Sequence, residues 1–163
     1  MRRILAILAA AGLVLVIAVP PAAATTTRHE IACEEHLVGT LVAPTEWIDE
    51  DGVYHMRGLV NQYTESGGPR CSGINIAEIN VNLDLATGAG TVWAKGHITL
   101  TGGGGGWEGR LLARFTPGGT YIWEGTIVMQ GWGSLAGWQR RADIVEPSHV
   151  MTTYTGVDFL AGD

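Results

Sequence analysis

Apolar and polar residues alternate with a period of two along most of the chain from Leu37 onward. No stretch keeps an apolar stripe at helical spacing for three turns. A period of two is typical of β-strands, because successive side chains of a strand point to opposite faces of the sheet. The 24 glycines occur at spacings that suit turns and bulges. The pattern therefore predicts an all-β fold with at most short connecting helices.

The clearest hairpin is predicted from two runs, 107–115 and 121–129, joined by residues 116–120. Odd-numbered positions of both runs are apolar and include large side chains. A three-residue loop over 117–119 pairs Phe115 with Tyr121 and keeps the two apolar faces together. Gly119 is expected to take the left-handed conformation that such a loop needs.

A second hairpin is predicted from 79–85 and 92–100. Its first arm directs Ile79, Val81, Leu83 and Leu85 to one face, and its second arm directs Trp93, Lys95 and His97 to the other. Further strands are predicted at 37–43, 47–48, 53–63 and 150–159, the last one closing the fold. About eight short strands, whose inward faces mix large rings with glycine, favour a small antiparallel up-and-down β-barrel. A β-sandwich is the alternative.

The N-terminus is predicted to be an export signal. Arg2 and Arg3 precede an uncharged apolar run over 4–19, and three alanines at 22–24 provide a signal-peptidase site. The run is shorter than the ~20 residues that a membrane-spanning helix needs. We therefore expect a signal peptide over 1–24 and one exported domain over 25–163, in the periplasm or outside the cell.

Two cysteines, Cys33 and Cys71, are present. In an oxidising compartment we expect them to form a structural disulfide. The chain has a formal net charge of −6, which becomes −8 when Arg2 and Arg3 are removed with the signal. Such an acidic domain is poorly suited to bind nucleic acid or anionic membranes.

No catalytic, metal or cofactor site is predicted. The glycine run at 102–106 precedes a strand rather than the helix of a phosphate loop. The acidic turn at 49–51 and the oxygen side chains at 80, 82 and 84 lack the arrangement of a Ca²⁺ loop. His55 with Arg57, and Lys95 with His97, share strand faces, but no acid–base partner is near them in the sequence.

The aromatic face of the first hairpin is the candidate ligand site. If the barrel has room, this face suits a flat or elongated apolar molecule. The alternative is that the same side chains simply fill the core of a small barrel. The predicted ligand-binding residues are Trp107, Phe115, Tyr121, Trp123 and Met129.

The segment Gly131-Trp-Gly-Ser-Leu-Ala-Gly137, which follows an aromatic strand, resembles the glycine-rich segment of allene oxide cyclase and dirigent-like β-barrels. The resemblance implies a barrel fold and, as one possibility, a cyclase or isomerase acting on an apolar substrate in the lumen. Such an enzyme requires a polar group inside the lumen. The predicted inward faces offer only Tyr54 and Tyr121 for that purpose.

Three hypotheses of function follow. The first is a secreted, non-enzymatic barrel that binds a small apolar molecule, and the second is the cyclase or isomerase. The third is a surface module that binds polysaccharide through exposed rings. The rings considered for that role are Trp47, Trp93, Trp132 and Trp138.

Overall fold

The computed structural model describes residues 27–120 and 122–160. The predicted signal peptide and Tyr121 lie outside the described residues. Within the described ranges, no helix is long and apolar enough to span a lipid bilayer. The strands are β1 (Arg28–Val42), β2 (Thr45–Ile48), β3 (Val53–Ser66), β4 (Gly73–Asp84), β5 (Gly90–Leu100), β6 (Gly105–Phe115), β7 (Trp123–Gly133), β8 (Trp138–Ser148) and β9 (Met151–Leu160).

The strands form a closed antiparallel barrel, as predicted. Each strand from β3 to β8 pairs with the next along the chain, and β1 pairs with both β9 and β3. These eight strands close the barrel. The short strand β2 is a ninth, paired with the first half of β3, and the turn between them is the predicted hairpin at 49–52.

The hairpin of β6 and β7 has the predicted faces but a different register. Phe115 pairs with Trp123, whereas pairing with Tyr121 was predicted. The connection is longer because a turn closed by the hydrogen bond from the Gly119 N–H to the Thr116 carbonyl precedes further loop residues. Gly118, with φ of 70°, takes the left-handed conformation instead of Gly119. A change of register by two residues keeps every side chain on its face.

The hairpin of β4 and β5 is confirmed, with Val81 opposite Val92. Leu85 departs from the prediction, because it lies in the exposed turn rather than on the apolar face. The strand β1 begins at Arg28 rather than Leu37, β4 begins at Gly73 rather than Ile79, and β8 was not predicted. Inward positions of β8 include Arg140 and Glu146, and charged residues there interrupt the apolar alternation that identifies a strand.

The lumen is divided into a packed half and an open half. The packed half is built around Trp107 and Ile98, which are almost completely buried, and around Tyr154 of β9. The open half is bordered by the smaller cluster of Val81, Val92 and Ala113. The barrel is therefore filled by side chains at one end only.

The predicted disulfide between Cys33 and Cys71 is confirmed, with the two Cα atoms 5.6 Å apart. Both cysteines are buried in the packed half. The bond ties β1 to the loop before β4 and closes a loop across 38 positions of sequence.

Replacing both cysteines, Cys33→Ser with Cys71→Ser, should lower the free energy of unfolding by about 3–4 kcal/mol, because the unfolded chain regains the entropy of the open loop. Urea denaturation of residues 25–163 and of the double variant measures the difference. An unchanged denaturation midpoint would show that the bond contributes nothing to stability.

Candidate functional site

A cavity of about 290 Å³ occupies the open half of the barrel. Most of its wall is apolar and comes from the inward faces of β3 to β8. The wall side chains include Met56, Leu59, Ile79, Val81, Val92, Leu111, Phe115, Trp123, Ile127, Met129 and Ile144. Gly96 and Gly109 also border the cavity, and at Gly109 a Cβ would clash with the backbone of β7. The arrangement suits a small, largely apolar molecule.

The structure brings three of the predicted ligand-binding residues to this cavity. Phe115, Trp123 and Met129 line it. Trp107 does not, because its ring lies in the packed half, where its Nε1–H donates to the Arg70 carbonyl oxygen over 3.1 Å. Some of these side chains thus fill the core and others border the cavity, and ligand binding by the latter stays a prediction.

Polar side chains border the cavity where it meets the packed half, and we call Glu35, Asn61, Tyr63 and Asn75 the polar floor. Tyr63 and Asn75 are directly opposite on β3 and β4. The Asn61 amide donates to the Tyr63 hydroxyl over 3.1 Å and accepts from the Thr40 hydroxyl over 2.8 Å. The Asn75 amide nitrogen donates to Glu35 Oε1 over 2.7 Å.

An ion pair between Arg140 and Asp158 lies in the packed half, and both residues have no exposed surface. The Arg140 guanidinium donates to Asp158 Oδ1 from Nε over 2.7 Å and to Oδ2 from Nη2 over 3.0 Å. Its remaining groups donate to the Tyr154 hydroxyl and to the Arg70 carbonyl oxygen. It also lies 4.2 Å from the centre of the Trp107 ring. Every part of the buried cation is therefore paired or packed.

Glu65 connects this ion pair to the polar floor. It accepts a 2.7 Å hydrogen bond from the Tyr154 hydroxyl and lies directly opposite Glu35 on the neighbouring strand. Burial, followed by the charge of Glu35, raises the pKa of Glu65 to about 10. Glu65 is thus protonated at neutral pH, so that the two facing carboxyl groups do not repel each other as a pair of anions.

The prediction that only Tyr54 and Tyr121 offer polar groups to the lumen is wrong. Tyr54 does not line the cavity, and its hydroxyl donates to Glu46 near the surface. The polar lumen residues come instead from β1, β3, β4, β8 and β9, where polar side chains occupy inward positions. In the sequence these residues could have been found from the period-two alternation. It places Glu35 on the same face as Cys33 in β1, and Glu65 on the same face as Asn61 in β3.

Glu146 lies at the mouth of the cavity, with 14% of its side chain exposed. Burial raises the pKa of this carboxyl to about 7. The exposed His149 ring lies 3.9 Å from Glu146 Oε1. The mouth therefore has a carboxyl group whose charge changes near neutral pH.

His55 has acid–base partners that the sequence did not reveal. Its ring nitrogens lie 2.7 Å from Asp49 Oδ2 and 2.7 Å from Asn82 Oδ1, and Arg57 also donates to Asn82. Asp49 Oδ1 accepts backbone hydrogen bonds in the turn before Val53. None of these side chains lines the cavity. The cluster holds the turn between β2 and β3 on the outside of the barrel.

The other outward-facing candidates also lie away from the cavity. Lys95 and His97 are exposed, as predicted. Arg57 lies over the rings of both Trp47 and Trp93, Arg70 lies 3.7 Å from the centre of the Trp138 ring, and His97 stacks on Trp132. The faces of all four rings are thus partly covered. Among the described residues, no group of three acidic, histidine or cysteine side chains is arranged to hold a metal ion.

Comparison with known proteins gives no relative: no family model, curated protein or solved structure matches the chain. The resemblance to allene oxide cyclase and dirigent-like barrels stays a prediction.

The protonated Glu65 should make the protein less stable as pH rises. Between about pH 4.5, where the unfolded carboxyl ionises, and about pH 10, the folded state holds a proton that the unfolded state has released. The free energy of unfolding then falls with increasing pH by up to about 1.4 kcal/mol per pH unit. Glu65→Gln keeps an acceptor for the Tyr154 hydroxyl but has no carboxyl group to ionise. The free energy of unfolding of this variant should therefore fall less steeply with pH.

Urea denaturation at several pH values between about 6 and about 9 measures both slopes. Glu78→Gln, the same change at an exposed position of β4, is the matched control. Equal slopes in the wild type, Glu65→Gln and Glu78→Gln would contradict a buried, protonated Glu65.

Proposed function

We propose that this is a secreted, non-enzymatic β-barrel protein that binds a small, largely apolar molecule in the open half of its lumen. The observation that carries the proposal is the cavity of about 290 Å³, with apolar walls and a polar floor. Its size is close to the lower end of the ~300–1,000 Å³ usual for ligand sites. A ligand would accordingly be compact.

The contacts of the buried ionic groups favour binding over catalysis. Arg140 and Asp158 satisfy each other and do not border the cavity. Glu65 is protonated and hydrogen-bonded to Tyr154. These strongly polar residues have structural partners and leave the apolar wall as the main surface that a ligand would contact.

The disulfide supports the exported location. Buried disulfides persist in oxidising compartments and are rare in the cytosol. We therefore place the protein in the periplasm or outside the cell, after removal of residues 1–24.

A cyclase or isomerase is the second candidate, and one observation favours it: the Glu35 carboxyl group borders the cavity. A carboxylate there could exchange a proton with a bound substrate. The two functions differ in the fate of the ligand. A molecule recovered unchanged after prolonged incubation supports binding alone, whereas conversion by the wild type that is lost in Glu35→Gln supports the enzyme.

The polysaccharide hypothesis has weaker structural support. It predicted a filled lumen and a flat aromatic patch, whereas the open half of the lumen is a cavity and the four candidate rings are partly covered by basic or histidine side chains.

Filling the cavity should abolish binding. Ala94 lies on its wall, so Ala94→Trp should place an indole in the ligand space. We expect the wild type to bind an apolar fluorescent probe and Ala94→Trp to bind it at least about tenfold more weakly. Val128→Trp, at a half-exposed position on the outside of β7, is the matched control and should bind as the wild type does. Equal binding by all three proteins would place the probe elsewhere and refute the proposal.

Binding of an uncharged probe should weaken as pH rises through about 7. A probe at the mouth removes Glu146 further from water, which favours the protonated carboxyl and raises its pKa in the complex. Protonation and binding are therefore coupled, and affinity is higher at low pH. Titrations at about pH 6 and about pH 8 should show a several-fold loss in the wild type and none in Glu146→Gln. The same loss in both proteins would assign the effect to another group.

A further inference from the structure

We infer that the ligand of this cavity is an apolar molecule with a hydrogen-bond donor at one end, a hydroxyl or a protonated amine, and that the site discriminates against carboxylates. The inference rests on the proposed function and specifies the chemical class of the ligand. It follows from the hydrogen-bonding state of the polar floor, where an acceptor is left free.

The free acceptor is Asn75 Oδ1. Asn75 is 6% exposed and lines the cavity, and its Oδ1 atom is buried without a hydrogen-bond partner. The amide is oriented by its neighbour, because the Asn75 nitrogen donates to Glu35 Oε1 over 2.7 Å and Oδ1 therefore points away from that carboxyl group. A buried polar atom without a partner is costly, and a ligand that donates to Oδ1 would remove that cost.

Tyr63, directly opposite Asn75, complements this acceptor. Its hydroxyl oxygen accepts from the Asn61 amide, which leaves the hydroxyl hydrogen for another partner. Opposite side chains on antiparallel strands lie about 5 Å apart at Cβ. Both residues border the cavity, so its floor offers a ligand one acceptor and one donor.

The charges that face the cavity are unfavourable for an anion. Glu35 lies at the floor and Glu146 at the mouth. The buried Arg140 is engaged by Asp158 and Tyr154 and does not border the cavity. Arg110 lies beside the cavity but on the outward-facing register of β6, opposite the half-exposed Val128, and its side chain is exposed. The other basic residue that borders the cavity, His149, is exposed at the mouth beside Glu146. A carboxylate at the floor would therefore lose its hydration without gaining a cation.

The test is a series of four ligands with similar apolar tails: n-octanol, its isomer heptyl methyl ether, octylammonium and octanoate. Each is titrated against the wild-type exported chain by displacement of the apolar fluorescent probe. Because the ether has the same atoms as the alcohol but no donor, we expect n-octanol to bind about three- to tenfold more tightly than the ether. Octylammonium should also bind more tightly than the ether, and octanoate should bind at least about tenfold more weakly than n-octanol.

Two variants locate the preference. Asn75→Leu removes the acceptor, so the ratio of the n-octanol affinity to the ether affinity should fall to about one. The variant also loses the hydrogen bond to Glu35, but any resulting loss of stability affects the binding of both isomers and cancels in the ratio. Glu35→Gln removes the carboxyl group from the floor and should reduce the discrimination against octanoate. If Asn75→Leu does not fold, the four-ligand series on the wild type and on Glu35→Gln still decides whether the site prefers a donor and discriminates against carboxylates.

The outcomes separate the inference from the proposed function. Binding of the ether equal to that of n-octanol, or octanoate as the tightest ligand, would overturn the donor preference while leaving the binding cavity in place. Failure of all four ligands and of the probe to bind would overturn the proposed function itself.

Discussion

The bidentate ion pair of Arg140 and Asp158 organises the interior of this barrel. Two opposite charges that are completely removed from water are stable only when their geometry is good and their remaining hydrogen-bonding groups have partners. Both conditions are met, because Arg140 also donates to the Tyr154 hydroxyl and to the Arg70 carbonyl oxygen. Through Tyr154 the network reaches Glu65, and through Glu65 it reaches Glu35 at the cavity floor.

The division of the lumen follows from this network. Trp107 packs against the Arg140 guanidinium and the disulfide lies in the same cluster, so one half of the barrel is filled. In the other half, Gly96 and Gly109 face inward and the apolar side chains stay at the wall. The polar groups at the boundary give the cavity two chemically different ends. A ligand of the proposed kind would be oriented by these ends as well as enclosed.

The predictability of the fold varied with the chemistry of the inward positions. The faces of β4 to β7 were predicted because their inward residues, from Val81 to Ile127, are nearly all apolar and alternate with polar ones. The inward residues of β8 begin with Arg140, and the period-two rule for apolar residues does not identify such a strand. The polar floor was not predicted for the same reason. Glu35 and Asn75 are polar, and their burial depends on partners on other strands. Partners that are 40 positions apart are set by barrel closure and register, which local sequence patterns do not specify.

Methyl NMR of residues 25–163 during titration with n-octanol shows directly where a ligand lies. The account predicts saturable shifts in the methyl resonances of Ile79, Val92 and Leu111, which line the cavity, while the outward-facing Leu112 and Val128 remain unchanged. Shifts confined to Leu112 and Val128, or no saturable shift at any of the five, would contradict a binding cavity in the open half of the barrel.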